Sequence, residues 1–393
     1  MTDNTNEKSS AQIALTKAFD NLYNASAYKD PIKAYMADMA AINASGDENP
    51  VTSEQWEQLY EVAKTIRLLE PWKHLHESEC ITLLLPGRDE PVYIVTMGSG
   101  DMTYGIGIYP GYNSYYRMMK MTENEVDEDD MSVAFEQHCI NLYFGDRDEL
   151  ETRDKNVIKQ LSLKFRGRNE WPYFRSMKPG FMPWFINRDE AELTIAALQN
   201  FTMACLAYVK NGFEVDFENG ETVLRFYDSD TDMWYNTVVK MPLAPFILPK
   251  IKITDDVLIS NLKKKRKSKA NLGFAITYIP VPIQENKNQR PKMPRMAVLM
   301  DMDKGGIIDR TTDAEHGVIG VAITELLTRY VEKHGRPASI AVPDEDTGDY
   351  IDDFANKLGI KMTENERLSS FGKIALNIMG AMGSGQLDNF MGF

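Results

Sequence analysis

An α+β domain followed by a smaller α/β domain is the architecture this sequence predicts, and three observations predict it. Short β-rich runs broken by Gly, Pro and Asp fill residues 81–116, the pattern of an antiparallel meander, with helical periodicity on both sides. From residue 296 onward strand-like and helix-like segments alternate in the order ββαβαβα, and helical crossovers of that kind require parallel pairing. At 393 residues the chain also exceeds one ordinary core. The expected organisation is a disordered tail over 1–10, an α+β domain with an antiparallel meander and packed helices over 11–245, a connecting segment with a basic run and a β-strand over 246–295, and an α/β domain over 296–393.

Leu15, Ala18, Phe19, Leu22 and Tyr23 recur at helical spacing, a second helix is expected over 31–41, and a third starts at Ser53 and carries Leu59, Val62, Ala63 and Ile66. These helices read as a packing layer. The meander follows as CITLLLP, PVYIVTMG and YGIGIYPG. Its MGSGDMTYGIG segment lacks the Gly-Lys-Ser/Thr ending of a phosphate loop and lies between strands, so its glycines read as those of a hairpin. The run ENEVDEDD (123–130) crowds mutually repelling carboxylates and reads as a solvated loop or helix face; calcium is the weaker reading, since the spaced ligand order of a calcium loop is absent. CINLYF reads as a strand, and a helix starting at Thr152 or Asp154 carries Val157, Ile158 and Leu161.

Residues 164–185, KFRGRNEWPYFRSMKPGFMPWF, place Arg166, Arg168, Arg175 and Lys178 among Trp171, Tyr173, Phe174, Phe181, Trp184 and Phe185. Prolines pin the backbone, and the aromatic rings can bury while cationic heads stay wet. The segment is expected to be a loop between two helices that acts as a structural clamp, closing the first domain against the second, its exposed cations left for a partner. A strong helix begins after Asn187, with Asp189, Glu190 and Glu192 in its first turn. GFEVDFENGETVLRFYD reads as a hairpin turning at Asn219-Gly220, and DMWYNTVVKM adds a strand.

After the proline-marked PLAPFILPKIKI, Thr254 is expected to cap a short helix over 255–262. KKKRKSK (263–269) makes Lys263, Lys264, Lys265 and Arg266 candidate partner-binding residues; a solvated helix end is the competing reading, since cations suit a helix C-terminus. NLGFAITYIPVPI is β-rich. MAVLMDM and IIDRTT pair about Gly305-Gly306, helices are expected over 318–334 and 348–358, ASIAV and IKM are strands, and a last helix spans 368–379. Asp301, Asp303, Asp344 and Asp346 fall at strand ends, and sites in such sheets lie outside the C-terminal ends of strands. Carboxylates brought together there suit Mg²⁺, and two such ions can clamp both oxygens of a phosphodiester cleavage, the logic of ribonuclease-H-like nucleases. Against this stands their ordinary use as turn formers and helix caps, with Asp346 or Thr347 well placed to cap.

Net charge −14 disfavours nucleic-acid binding by the whole surface but leaves room for a local basic groove. Cys80, Cys139 and Cys205 are far apart, which argues against a disulfide framework or structural zinc and fits a reducing cytosol. His74 and His76 lie near Cys80 without a strong fourth ligand, so no metal centre is assigned. The polar N-terminus lacks a signal-peptide core and no apolar run nears the ~20 residues of a membrane helix, so a cytoplasmic protein without a membrane partner is expected.

VYIVTMGSGDMTYGIGIYPG, the long run from LYFGDRDELETRDKNVIKQL through residue 185, and GRPASIAVPDED with LGIKM together resemble a bacterial family built of two adjacent domains of unknown function. The resemblance covers residues 55–365. It implies a bacterial cytosolic protein split near residue 245, and it brings no activity and no catalytic residue. Two functional readings stand. The first is a non-catalytic interaction or regulatory module with a protein or nucleic-acid partner and no cofactor. The alternative is a ribonuclease-H-like metal-dependent nuclease using Mg²⁺, or a degenerate relative that binds nucleic acid without cutting it.

Overall fold

The structure, a computed structural model, describes residues 10–44, 49–100, 103–123, 134–245, 250–279, 281–313 and 319–368. The expected tail up to residue 9, the acidic run from 124 onward and the last helix beyond residue 368 lie outside the described residues.

The first unit opens with helices α1 (Ser10–Asn24), α2 (Ser26–Lys29), α3 (Pro31–Ala44) and α4 (Ser53–Leu69), then strands β1 (Ile81–Leu84), β2 (Val92–Met97) and β3 (Tyr104–Pro110). It continues through α5 (Tyr112–Glu123), β4 (Cys139–Gly145), α6 (Thr152–Gln160), β5 (Trp171–Met177), α7 (Arg188–Asn211), β6 (Glu221–Asp228) and β7 (Met233–Lys240). The strands form one seven-stranded sheet in the order β5-β4-β3-β2-β1-β6-β7. Its pairings are antiparallel except β1 with β6, which α7 makes parallel by carrying the chain across the sheet. Alternation along the strands sends Ile81, Leu83, Ile94, Ile108 and Leu142 to the face covered by α4 and α7. Cys80, Tyr93, Val95, Tyr109 and Cys139 go to the opposite face, where Tyr112, Tyr115 and Met118 of α5 and Leu22 of α1 cover them.

Local chemistry explains where the sequence reading slipped. Thr52, not Ser53, caps α4: its hydroxyl accepts from Gln55 N and the Gln55 side chain accepts from Thr52 N, each at 3.1 Å. The segment 164–185 is not one loop, since its aromatic half forms β5 at the sheet edge, paired to β4 from Cys139–Met177 to Gly145–Trp171. Asn219-Gly220 closes a 3-10 turn over Phe217–Asn219 capped by Asp216 and does not join two strands; the hairpin is β6–β7, closing at Asp228 and Met233. Helix α5 was unforeseen because YNSYYRMMK is rich in strand-favouring tyrosine; Gly111, at φ 84°, turns the chain, and the Glu90 carboxylate accepts from Tyr112 N at 2.8 Å.

The second unit holds α8 (Asp256–Lys263), β8 (Asn271–Tyr278), β9 (Arg295–Asp301), β10 (Ile307–Asp313), α9 (Ile319–His334), β11 (Ser339–Val342), α10 (Glu345–Asp349), α11 (Asp352–Leu358) and β12 (Lys361–Glu364). Its five strands run in the order β10-β9-β8-β11-β12. β8, β11 and β12 are parallel, whereas β8–β9 and β9–β10 are antiparallel. β8, expected in a connecting segment, is therefore the central strand of this sheet, and Phe274 on it is fully buried with Leu299, Leu326, Ile340 and Phe354. Asp255 rather than Thr254 caps α8, and the helix expected over 348–358 breaks into α10 and α11 around Tyr350 and Ile351. Among the described residues no helix is long and apolar enough to cross a membrane.

The half of the 164–185 segment that follows β5 bridges the two units. Met293 N donates to Gly180 O at 2.8 Å and Met182 N donates to Pro291 O at 3.0 Å, so residues 180–182 pair with the chain that leads into β9. If β8 belongs to the second core, Phe274→Ala should cost about 3–5 kcal/mol. Hydrogen exchange should then show lost protection from β8 through β12, with the seven-stranded sheet keeping its own.

Candidate functional site

The strand directions decide the fate of the carboxylates. Asp301, at the end of β9, pairs with Leu272 near the start of β8, because β9 runs against β8. Its Oδ1 accepts from Asp303 N at 3.0 Å and Lys304 N at 2.9 Å, and the Asp303 carboxylate accepts from Asn271 Nδ2 at 3.1 Å. Asp344 follows the end of β11, which runs with β8, so it lies at the opposite end of the sheet. There its Oδ1 caps α10 by accepting from Thr347 N at 2.7 Å, and Asp346 forms an ion pair with Lys120 of α5. The four residues do not converge on one cleft. Among the described residues no group of three or more His, Cys, Asp or Glu is placed to hold a metal ion, and Cys80 is buried while His74 and His76 are exposed.

The cations of the aromatic segment divide in two. Arg175 is buried and grips Asp154 with both terminal nitrogens, at 3.0 and 2.7 Å, while Glu151 lies 3.2 Å away. Its guanidinium also lies over the rings of Phe185 at 4.7 Å and Tyr173 at 5.0 Å. Lys178 is buried too, 3.2 Å from Glu190, which at the same time accepts from Ser176 Oγ and from Asn187 N in the capping box of α7. Burial would raise the Glu190 carboxyl, but Lys178 and Arg290 outweigh it and hold the group below its usual range. Of Arg166, Arg168, Arg175 and Lys178, the first two are exposed. Two of the four expected partner-binding residues are thus internal struts.

Lys263, Lys264, Lys265 and Arg266 are all exposed at the end of α8, and the fold adds to them. Gly335, at φ 88°, ends α9 so close to α8 that a Cβ there would sit 2.5 Å from Arg266 O. Arg336 N then donates to Arg266 O at 2.9 Å, its Nε to Lys265 O at 3.2 Å, and its guanidinium to Leu358 O at the end of α11 at 3.1 Å. The C-termini of α8, α9 and α11 therefore meet at one pole, which carries the exposed Lys267, Lys269 and Lys333 as well. Each helix end is a partial negative charge that favours these cations, and Asp301 and Asp303 lie at the same end of the sheet, beside the start of β8.

A partly buried charged seam between the two units escaped the sequence reading. Arg117 of α5 donates to the carboxylate and carbonyl of Glu136 and to Tyr35 Oη, and the Tyr278 hydroxyl at the end of β8 donates to the other Glu136 oxygen. Phe135 packs on Tyr278 with ring centroids 5.6 Å apart, and Arg295 reaches Asp313 at 2.8 Å beside them. Desolvation would raise the Glu136 carboxyl, but Arg117, Arg295 and Tyr278 together hold it low. His138 stands next to this seam with Nδ1 2.9 Å from Ser114 Oγ; burial first, then Arg117 and Lys178, push its imidazole down to about 3. No motif announces these residues, because each gains meaning only from its partner across the seam.

Two measurements follow from these placements. Arg175→Ala strands Asp154 in the interior and should cost about 3–5 kcal/mol in urea unfolding, against less than about 0.5 kcal/mol for Arg166→Ala with Arg168→Ala. An unfolded imidazole takes up its proton near 6.5, whereas His138 stays neutral to about 3. Between those values the unfolded chain holds the extra proton, so this contribution is complete above about pH 6.5 and is lost as pH falls toward 3. His138→Gln should therefore remove up to about 1.4 kcal/mol of pH dependence per unit in that window, read by unfolding at a series of pH values.

Residues 56–225 match a domain of unknown function, DUF7309, and residues 258–378 match a second, DUF6930. No curated protein and no solved structure matches the chain. With β1 to β5 and the start of β6 in the first match and the five-stranded sheet in the second, the chain belongs to the proteins that join these two domains of unknown function.

Proposed function

We propose that the protein is a non-catalytic interaction module that binds the phosphate backbone of nucleic acid through the basic pole of its second unit. The observation that carries this reading is the meeting of three helix ends around Arg336, which gathers exposed Lys263, Lys264, Lys265, Arg266, Lys267, Lys269 and Lys333 on a chain of net charge −14. So local an excess of positive charge is retained against the field of the whole molecule, and clustered cations bind polyanions by releasing condensed counterions. The non-catalytic part rests on the carboxylates, each of which is engaged in a turn, a cap or an ion pair. A cytosolic, bacterial setting is part of the proposal, supported by three free buried cysteines and by the bacterial family that the sequence resembles. The reading invokes no cofactor.

Fluorescence anisotropy with a labelled 20-nucleotide single strand tests it. Affinity should fall linearly on logarithmic axes between 50 and 200 mM salt, with a slope of about −0.7 for each phosphate neutralised. Lys263→Glu with Arg266→Glu and Lys333→Glu should abolish binding, while Arg166→Ala with Arg168→Ala should leave it unchanged. Binding that survives the triple change would overturn the assignment, and absence of binding at low salt would leave a protein as the partner of the module.

A further inference from the structure

A cavity of about 730 Å³ opens on the α5 side of the first unit, between α5, the start of β6 and the chain that leaves β7. We infer that it is a binding site for an organic cation, an alkyl- or arylammonium compound with an apolar body. Its volume lies in the range of small-molecule sites, which are mostly apolar with a few placed polar groups. The walls fit that description. Tyr115, Tyr116 and Phe217 offer ring faces and Met118, Met241 and Leu243 supply soft apolar surface. Tyr112 also lines it, and its buried hydroxyl has no hydrogen-bond partner among the described residues.

The charge of the site selects the head group. Glu77, Glu218 and Glu221 line it against a single cation, Lys120. Lys120 is neutralised from outside by Asp346 of the second unit. Glu77 and Glu221 accept from backbone N–H groups, of Gly98 at 3.2 Å and Asp216 at 3.1 Å; Glu221 also faces Lys240 Nζ at 3.8 Å, so Glu77 and Glu218 are the carboxylates with lone pairs to spare. Glu218 is exposed on the turn beside them. The aromatic wall already accommodates an ammonium group, since Lys120 Nζ lies 5.4 Å from the centre of the Tyr116 ring. An anionic head group would meet three carboxylates here, whereas a cationic one meets carboxylates and ring faces together.

Calorimetric titration with two amphiphiles of the same chain and opposite sign tests the inference. Decyltrimethylammonium, kept below its micelle concentration, should bind with 1:1 stoichiometry and at least tenfold more tightly than decanoate. Glu77→Gln with Glu218→Gln should weaken the ammonium probe by tenfold or more, as should Tyr116→Ala. Glu57→Gln with Glu61→Gln, the same charge change on the exposed face of α4, should have no effect. Equal binding of the two probes, or an equal loss in the α4 control, would show general attraction to an acidic protein and overturn the site.

Discussion

β8 lies between one antiparallel and one parallel neighbour, and the hydrogen-bonding directions of that strand arrange everything else in the second unit. Parallel β8, β11 and β12 oblige the chain to return to the same end before each strand, so α9 and α11 must finish where β11 and β12 begin. α8, which precedes β8, finishes there too, and the basic pole is the sum of those three endings. The opposite end, where parallel strands terminate and open α/β sheets usually hold their ligands, is turned toward the first unit. Tyr278 reaches Glu136 from there, Asp346 reaches Lys120, and the approach to β9 pairs with Gly180 and Met182. One end of the sheet is committed to docking, and the other is left to meet solvent and partners.

That division gives the seam its energetic character. Arg117 is mostly withdrawn from water while Glu136 and Tyr278 are only partly so, and an ion pair at such a half-exposed place contributes little to stability by itself. What it does supply is direction. A displaced second unit would take the Tyr278 hydroxyl away from Glu136, so the seam favours one relative placement. The short backbone bridge at residues 180–182 and 291–293 supplies the matching main-chain registry.

Much of the architecture was legible because it is written in periodicity. The apolar spacing of α1, α4, α7 and α9 and the compact runs of β1 to β3 and β9 to β12 depend on neighbours a few residues away. What escaped depends on distant partners. Arg175 looks like a surface cation until Asp154, 21 residues earlier, is folded against it. Lys178 becomes internal only because Glu190 serves it and the α7 cap at once. NLGFAITY was recognised as β-rich, but no local signal distinguishes a connecting strand from the middle of a sheet. Asp301 ends β9 and Asp344 follows β11, while Asp346 lies within α10; whether such carboxylates meet depends on the relative direction of two strands, a property that neither strand carries alone.

Pro172 has a consequence for the company this molecule keeps with copies of itself. β5 is an edge strand, and Ser176 turns its backbone outward to exchange both hydrogen bonds with Trp184. Backbone direction alternates along a strand, so the outward positions two and four residues earlier are Phe174 and Pro172. Proline has no N–H to offer at the second of these, and Trp184 already takes up Ser176, which leaves Phe174. A foreign strand sliding along this edge would find a single outward donor, too few to start a ladder, and the sheet is thereby kept from growing at its β5 side.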